Sequence, residues 1–107
     1  MEKMQTLGQT EEIIENHPLT LIYISREQCS VCHSFKPQLE AVLENYPQIK
    51  AAAVSADDIP EAASRFEVFT APAVLLYIEG TERWRGARFI RREELEHQFT
   101  QWSEALE

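Results

Sequence analysis

A strand-like run leads directly into a pair of cysteines and then into a helical pattern, and this succession limits the folds that the chain can adopt. The run LTLIYIS (19–25) is apolar and β-branched, as in a central strand buried on both faces. Cys29 and Cys32 follow within a few residues, and from Val31 to Tyr46 apolar residues recur at helical spacing. The sequence therefore predicts a strand, a Cys-x-x-Cys motif and a helix in immediate succession.

The remaining segments alternate between strand and helix patterns. Further predicted strands are a short edge strand at KMQTL (3–7), IKAAAVSA (49–56), and the antiparallel pair AVLLYIE (73–79) and ERWRGAR (82–88). Predicted helices are TEEIIENH (10–17, with Thr10 as N-cap), IPEAASRF (59–66), and a C-terminal helix with Leu95, Phe99, Trp102 and Leu106 on one face. This order predicts an α/β fold, with a central mixed sheet of four to five strands flanked by helices on both faces.

Length and charge limit the class of protein. At 107 residues we expect a single domain over 1–107, without a linker or a second core. The net charge of −8 argues against nucleic acid and against an anionic membrane surface as partners, because both would repel the protein. No apolar run suits a signal peptide, and none reaches the ~20 residues of a membrane span. We therefore expect a cytoplasmic protein, whose cysteine pair is catalytic or metal-binding rather than a lasting structural disulfide.

The cysteine pair admits three interpretations: a redox couple, a redox-silent binding module and a metal site. In a first helical turn, residues three apart share a face, so two sulfurs can form a disulfide, and the helix N-terminus stabilises a thiolate. Cys29 would then be the exposed nucleophile and Cys32 the shielded resolving cysteine. Zinc takes four ligands, whereas His33 is the one histidine near the two thiols and His17 and His97 are distant in sequence. Redox chemistry is favoured, and no metal is expected.

The motif and its surroundings resemble the thioredoxin family over nearly the entire chain. Pro37 lies five residues after the second cysteine, as in thioredoxins, and FEVFTAPAVLLYIEG (66–80) is similar to the family's segment around its cis-proline. Gly86 and the closing amphipathic helix also match. The resemblance implies that the Ala71–Pro72 bond is cis and packs against the sulfurs, and that the backbone of Ala71 pairs with an extended substrate.

Three positions depart from the family pattern. Gln28 stands where a tryptophan usually precedes the first cysteine, and Ser-Val (30–31) replaces Gly-Pro between the cysteines. Tyr23 aligns with the family's buried aspartate, which serves the resolving cysteine as acid and base. Without that carboxylate the thiolate loses a repulsive neighbour, which predicts a couple more oxidising than thioredoxin. Asp57, at the end of a neighbouring strand, or Glu27 could partly substitute for it.

The resemblance implies a thiol–disulfide oxidoreductase that reduces protein disulfides through the Cys29/Cys32 couple. Its partners would be disulfide-containing proteins and a reductase or low-molecular-weight thiol that restores the dithiol, with no other cofactor expected. The alternative is a redox-silent, thioredoxin-like interaction module that holds a partner in the groove near Ala71 and Pro72. Phe69, just upstream of this groove, is either a substrate contact or a cap on the core.

Overall fold

The structure, a computed structural model, describes residues 1–106 as alternating strands and helices. The predicted domain of 1–107 includes Glu107, which lies outside the described residues. In chain order the elements are β1 (Glu2–Lys3), α1 (Leu7–Asn16), β2 (Leu19–Ser25), α2 (Ser30–Leu43), β3 (Lys50–Ser55), α3 (Glu61–Arg65), β4 (Ala73–Ile78), β5 (Thr81–Ala87) and α4 (Arg92–Ala105). In the described part of the chain, none of these helices has the length and apolar content that crossing a membrane requires.

The strands form one mixed sheet with the order β1-β3-β2-β4-β5. The central strand β2 runs parallel to β3 and antiparallel to β4, so that Tyr23 pairs with Ala53 on one side and with Val74 on the other. β5 pairs antiparallel with β4, as the hairpin pattern predicted. The predicted mixed sheet is therefore confirmed, with five strands.

Alternate residues of the central strands pack on opposite faces of the sheet, and each face has its own core. On one face Ile22 and Ile24 pack in the core that also contains α1 and α3 side chains. On the other face Leu21 and Tyr23 pack in the core that contains α2 and α4 side chains. Because both faces are covered, β2 is a continuous apolar run rather than an alternating one.

The first helix begins earlier than the sequence pattern indicated. It was predicted over 10–17 with Thr10 as N-cap, but it begins at Leu7 with Thr6 as N-cap. The Thr6 hydroxyl accepts a hydrogen bond from the Gln9 backbone N–H at 3.1 Å, and Oε1 of Gln9 accepts one from the Thr6 backbone N–H at 3.3 Å. This reciprocal capping box satisfies otherwise unpaired donors, whereas Thr10 lies fully buried inside the helix.

Other predicted boundaries shift by a few residues. The edge strand covers Glu2–Lys3 rather than 3–7, because the capping box of α1 occupies the following residues. The second helix ends at Leu43, so that Tyr46 lies beyond it. Helix α3 is only five residues long, with Pro60 at its N-cap position. These differences leave the order of elements unchanged.

Three connections meet at one end of the sheet. The cysteine segment leaves the end of β2, Pro72 immediately precedes β4, and the β5–α4 loop begins after Ala87. Ala73, the first residue of β4, pairs with Ile24 on one side and with Ala87 on the other. This register places the three connections next to one another. The candidate site lies at this end of the sheet.

Candidate functional site

Cys29 and Cys32 form a disulfide at the start of α2, with their Cα atoms 5.3 Å apart. Cys29 is the N-cap of the helix, and its Sγ accepts a hydrogen bond from the backbone N–H of Cys32 at 3.1 Å. In most helices a side-chain oxygen takes this position. Here the unpaired amides and the helix dipole point at sulfur, so reduction of the disulfide would leave Cys29 where a thiolate is stabilised.

The two sulfurs differ in their access to solvent. Cys29 is half-buried at the entrance of the helix, whereas Cys32 is only 2% exposed. Ser30 is exposed and Val31 is half-buried, and neither side chain shields Cys29 from solvent. A partner sulfur can therefore approach Cys29 more easily than Cys32.

Tyr23 lies beneath the motif, as the resemblance placed it. Its ring is 2% exposed, and its hydroxyl donates a hydrogen bond to the carbonyl oxygen of Cys32 at 3.1 Å. Burial raises the pKa of the phenol above its ordinary value of 10, with a smaller contribution from the Glu40 carboxylate. Tyr23 is therefore neutral near pH 7 and contacts Cys32 through the backbone carbonyl of that cysteine. The sequence indicated the position of this residue, but not the hydrogen bond.

Asp57 and Glu27 are brought together beside the cysteine loop. The Asp57 carboxylate accepts a hydrogen bond from the backbone N–H of Glu27 at 2.6 Å. The carbonyl oxygen of Glu27 lies 3.1 Å from Nε2 of His33. Both backbone polar groups of Glu27 therefore have a side-chain partner, which holds this part of the loop in place. Within residues 1–106 no cluster of three or more His, Cys, Asp or Glu side chains could hold a metal. Sequence reasoning missed this loop arrangement, because thirty positions separate the two acids and no local pattern connects them.

The Ala71–Pro72 peptide bond is cis, and both residues are buried. The backbone N–H of Arg88 donates to the Pro72 carbonyl oxygen at 2.6 Å, and Arg88 Nη1 lies 3.5 Å from the Ala71 carbonyl oxygen. Phe69 is 83% exposed, so the interpretation of this ring as a cap on the core is wrong. Its exposure leaves a large apolar ring two residues before the predicted groove.

Comparisons with known proteins agree with this geometry. The family model described as Thioredoxin matches residues 3–101. The thioredoxin-like protein YdfQ of Bacillus subtilis is 48% identical over 96 residues, which cover 90% of this chain and 86% of the relative. The structure of Fasciola hepatica thioredoxin superposes with a TM-score of 0.87 at 25% identity, covering 95% of this chain and 99% of that chain. Plasmodium falciparum thioredoxin superposes equally well (TM-score 0.87, 95% and 99% covered), at 16% identity.

The matched region contains the whole candidate site. Residues 3–101 include the Cys29–Cys32 disulfide, the Ala71–Pro72 bond and the strands that position them. A dithiol–disulfide couple at the start of a helix is the chemistry of a thiol–disulfide oxidoreductase, and both the fold and the disulfide support that activity. On this evidence the chain belongs to the thioredoxin family.

Proposed function

We propose that this protein reduces the disulfides of other proteins, acting as a single domain in the cytoplasm. The observation that carries the proposal is the position of Cys29: its Sγ caps α2 and accepts the Cys32 N–H, while Cys32 is shielded behind it. One accessible sulfur at a site that stabilises a thiolate, with a second sulfur in bonding distance, is what dithiol exchange requires. A reducing compartment keeps such a pair available as the dithiol.

In the first step, the Cys29 thiolate attacks one sulfur of the substrate disulfide. A bond forms between Cys29 and that sulfur, the substrate S–S bond breaks, and the second substrate sulfur leaves as a thiolate that takes up a proton. The helix N-terminus favours the attacking thiolate, because the Cys32 backbone N–H and the positive end of the helix dipole face Sγ. The product of this step is a mixed disulfide.

In the second step, Cys32 loses its proton and attacks Sγ of Cys29. The Cys29–Cys32 bond forms, the mixed disulfide breaks, and the remaining substrate thiol is released. Two electrons have then passed from the dithiol of this protein to the substrate. To act again, the protein needs two electrons from outside, and we propose a reductase or a low-molecular-weight thiol as their source.

Ala71 and Pro72 are the proposed substrate-binding residues. Support comes from their position, because they immediately precede β4 at the end of the sheet that carries the disulfide. The Ala71 carbonyl oxygen accepts a long hydrogen bond from Arg88 Nη1 at 3.5 Å, and its second lone pair can accept one from a partner strand. A substrate in extended conformation would pair with it by strand addition. Such a contact is made between peptide backbones and does not require recognition of a nucleic-acid base or phosphate.

Asp57 and Glu27 are the proposed tuning residues. The Asp57 carboxylate is held 2.6 Å from the Glu27 backbone nitrogen, in the loop that leads to Cys29. A carboxylate fixed there would disfavour the thiolate by like charge and could accept a proton. Asp57→Asn tests this proposal, with Asp58→Asn as the matched control, because Asp58 is also exposed at the same turn. We expect only the first change to alter the pH dependence of Cys29 alkylation.

Trapping of the mixed disulfide tests the proposed activity. In Cys32→Ser the second step is blocked, so the reduced variant should retain protein substrates through Cys29 after incubation with a lysate. Dithiothreitol should release these proteins. The matched control is Cys29→Ser, which removes the attacking sulfur and should capture few or none. Purified captured proteins should then be reduced by the wild-type protein.

Two results would contradict the proposal. If the Cys29→Ser control captures the same proteins equally well, the contact is non-covalent and the redox-silent interaction module is favoured. If wild-type protein binds a captured partner but leaves its disulfides oxidised, exchange is not the function of the site. Either result would leave the fold assignment intact.

A further inference from the structure

A cavity of about 240 Å³ lies beside the cysteine motif, between the first turns of α2 and the β5–α4 loop. Val31, one of the two residues between the cysteines, lines one side, and Phe35 contributes to the same wall. Arg88, Phe89 and Arg91 line the opposite side. The volume is several times the ~30 Å³ that one water occupies in the liquid, so it could accept a large side chain of a partner.

The charge of this cavity is opposite to that of the whole protein. The chain carries 18 acidic and 10 basic residues, yet two arginines and no acidic residue line the cavity. Arg65, Arg85 and Arg92 are paired with carboxylates in salt bridges. In residues 1–106 no salt bridge involves Arg88 or Arg91. Their charges are therefore available to a carboxylate that a partner supplies.

The backbone and side chain of Arg88 connect this cavity to the proposed substrate-binding segment. Its N–H donates to the Pro72 carbonyl oxygen at 2.6 Å, and its guanidinium lies 3.5 Å from the Ala71 carbonyl oxygen and 5.3 Å from the Phe89 ring centroid. Arg88 has a φ of +61°, which is unusual outside glycine and is concentrated at functional sites. A polypeptide that runs along Ala71 would pass this guanidinium.

Phe89 offers an apolar surface at the mouth of the cavity. Its ring is 77% exposed, and with Phe69 it is one of two large hydrophobic side chains so exposed in the described residues. Both belong to segments that lie at the end of the sheet that carries the disulfide. Exposed apolar rings bordered by charge are typical of protein-binding surfaces.

We propose that the cavity framed by Arg88, Phe89 and Arg91 is a specificity subsite for acidic protein substrates. It would take an apolar side chain of the substrate between Val31 and Phe89, while the two arginines bind a neighbouring Asp or Glu carboxylate. The inference rests on the proposed function, because it names the substrate class of the same site. A second copy of this chain is disfavoured, since a two-fold contact through this surface would bring Arg88 and Arg91 against their own copies.

Reduction of matched peptides tests this inference. The probes are fluorogenic peptides with one internal disulfide, identical except that the residues after one cysteine are Leu-Glu, Leu-Gln, Leu-Lys or Gly-Glu. Pre-reduced, desalted protein is mixed with each peptide, and a single turnover is followed, so that no recycling reductant is needed. We expect Leu-Glu to react about fivefold faster than Leu-Lys, with Leu-Gln between them. The overall charge of −8 favours the lysine peptide, so this order would come from the local subsite.

Charge variants distinguish the effect of the subsite on peptide preference from the effect of the remaining surface charge. In Arg88→Gln/Arg91→Gln the ratio of Leu-Glu to Leu-Lys rates should fall to about twofold or less. Arg83→Gln is the matched control: it removes an exposed arginine that lies four residues before the end of β5, away from the cavity. It should keep the wild-type ratio. Sodium chloride at about 1 M should abolish the preference, because the screening length falls to ~3 Å.

An apolar variant tests the other half of the inference. Phe89→Ala should slow all three leucine peptides about threefold relative to Gly-Glu, without changing the ratio of Leu-Glu to Leu-Lys. All of the substituted side chains are exposed, and circular dichroism and thermal melting should show that each variant folds as the wild type does. Arg91→Gln alone, which leaves the backbone at Arg88 untouched, should give an intermediate ratio.

Four results would overturn the inference. Equal wild-type rates on all peptides would contradict the proposed subsite but not the proposed reductase function. No reduction of any peptide would overturn both. A loss of preference in Arg83→Gln equal to that of the double variant would assign the effect to general surface charge. Self-association in sedimentation that Arg88→Gln/Arg91→Gln abolishes would assign the surface to a second copy of the chain.

Discussion

The hydroxyl of Tyr23 donates a hydrogen bond to the carbonyl oxygen of Cys32, across 3.1 Å. This contact joins the central strand to the first turn of α2, and the Phe35 ring packs 6.2 Å from the tyrosine ring. A neutral phenol thus stands where the family resemblance implies a carboxylate. We therefore expect both the stability of the protein and the chemistry of its cysteines to depend on this residue.

Tyr23→Phe should lower the free energy of unfolding by about 1 kcal/mol, because it removes a buried hydrogen bond and keeps the ring. Urea denaturation near pH 7 measures this change. Tyr46→Phe is the matched control, since the Tyr46 hydroxyl bonds Thr100 at an exposed position, 2.7 Å away. We expect a smaller loss there. Equal losses of unfolding free energy in the two variants would show that burial of the Tyr23 hydrogen bond does not increase its contribution to stability.

Stability should fall as the pH rises above about 10. Burial raises the pKa of both Tyr23 and Tyr77 above 10.0, so the folded state holds these protons at a pH where the unfolded chain has begun to lose them. The contribution of these two protonated tyrosines to the free energy of unfolding is fully present below the tyrosine pKa of the unfolded chain. It is lost as the pH rises through their pKa values in the folded protein. Urea denaturation between about pH 8 and 11 should show this decline. Tyr23→Phe should make it shallower, and an unchanged slope would contradict the assignment.

Tyr23→Asp should make the cysteine couple more reducing. A carboxylate beneath Cys32 repels the thiolate form, and equilibration with glutathione should give a more negative potential, where ~30 mV corresponds to ~1.4 kcal/mol. The buried charge should also cost stability. Tyr23→Asn is the control for size and polarity without charge. If Asp and Asn shift the potential equally, the charge is not the cause, and Asp57 becomes the next residue to mutate.

Cys29 should react with iodoacetamide at least about tenfold faster than Cys32 in the reduced protein near neutral pH. Its sulfur is accessible at the helix entrance and faces the backbone donor of Cys32, whereas Cys32 is 2% exposed. Brief labelling followed by peptide mass spectrometry gives the two rates. Labelling in denaturant is the control and should bring the rates together. Faster labelling of folded Cys32 would reverse the proposed roles.

Thr6→Ala should lower the free energy of unfolding by about 1 kcal/mol, because it removes the hydroxyl that caps α1. Thr6→Ser keeps a hydroxyl and should stay close to wild type. Thermal or urea denaturation compares the three proteins. If Thr6→Ser is as destabilised as Thr6→Ala, the methyl group rather than the capping box stabilises this end of the helix.

The order of elements could be predicted from sequence because each element has a strong local signal. The run 19–25 is mostly apolar and β-branched, and the residues around Gly80 separate two strand patterns that pair as a hairpin. The start of α1 could not be placed in this way. Thr6 and Thr10 are both plausible caps, and the choice depends on the reciprocal bonds between Thr6 and Gln9 and on the burial of Thr10.

The mixed α/β architecture and the redox pair follow from the sequence alone, because strand period, helix period and the spacing of Cys29 and Cys32 are local properties of the chain. The residues that surround that pair are distant in sequence, and it is the tertiary structure that brings them there. It joined Asp57 to the Glu27 backbone and brought Arg88 to Ala71, contacts that depend on the order of strands in the sheet. It also left Phe69 exposed, because burial is decided by what packs over a side chain rather than by its type.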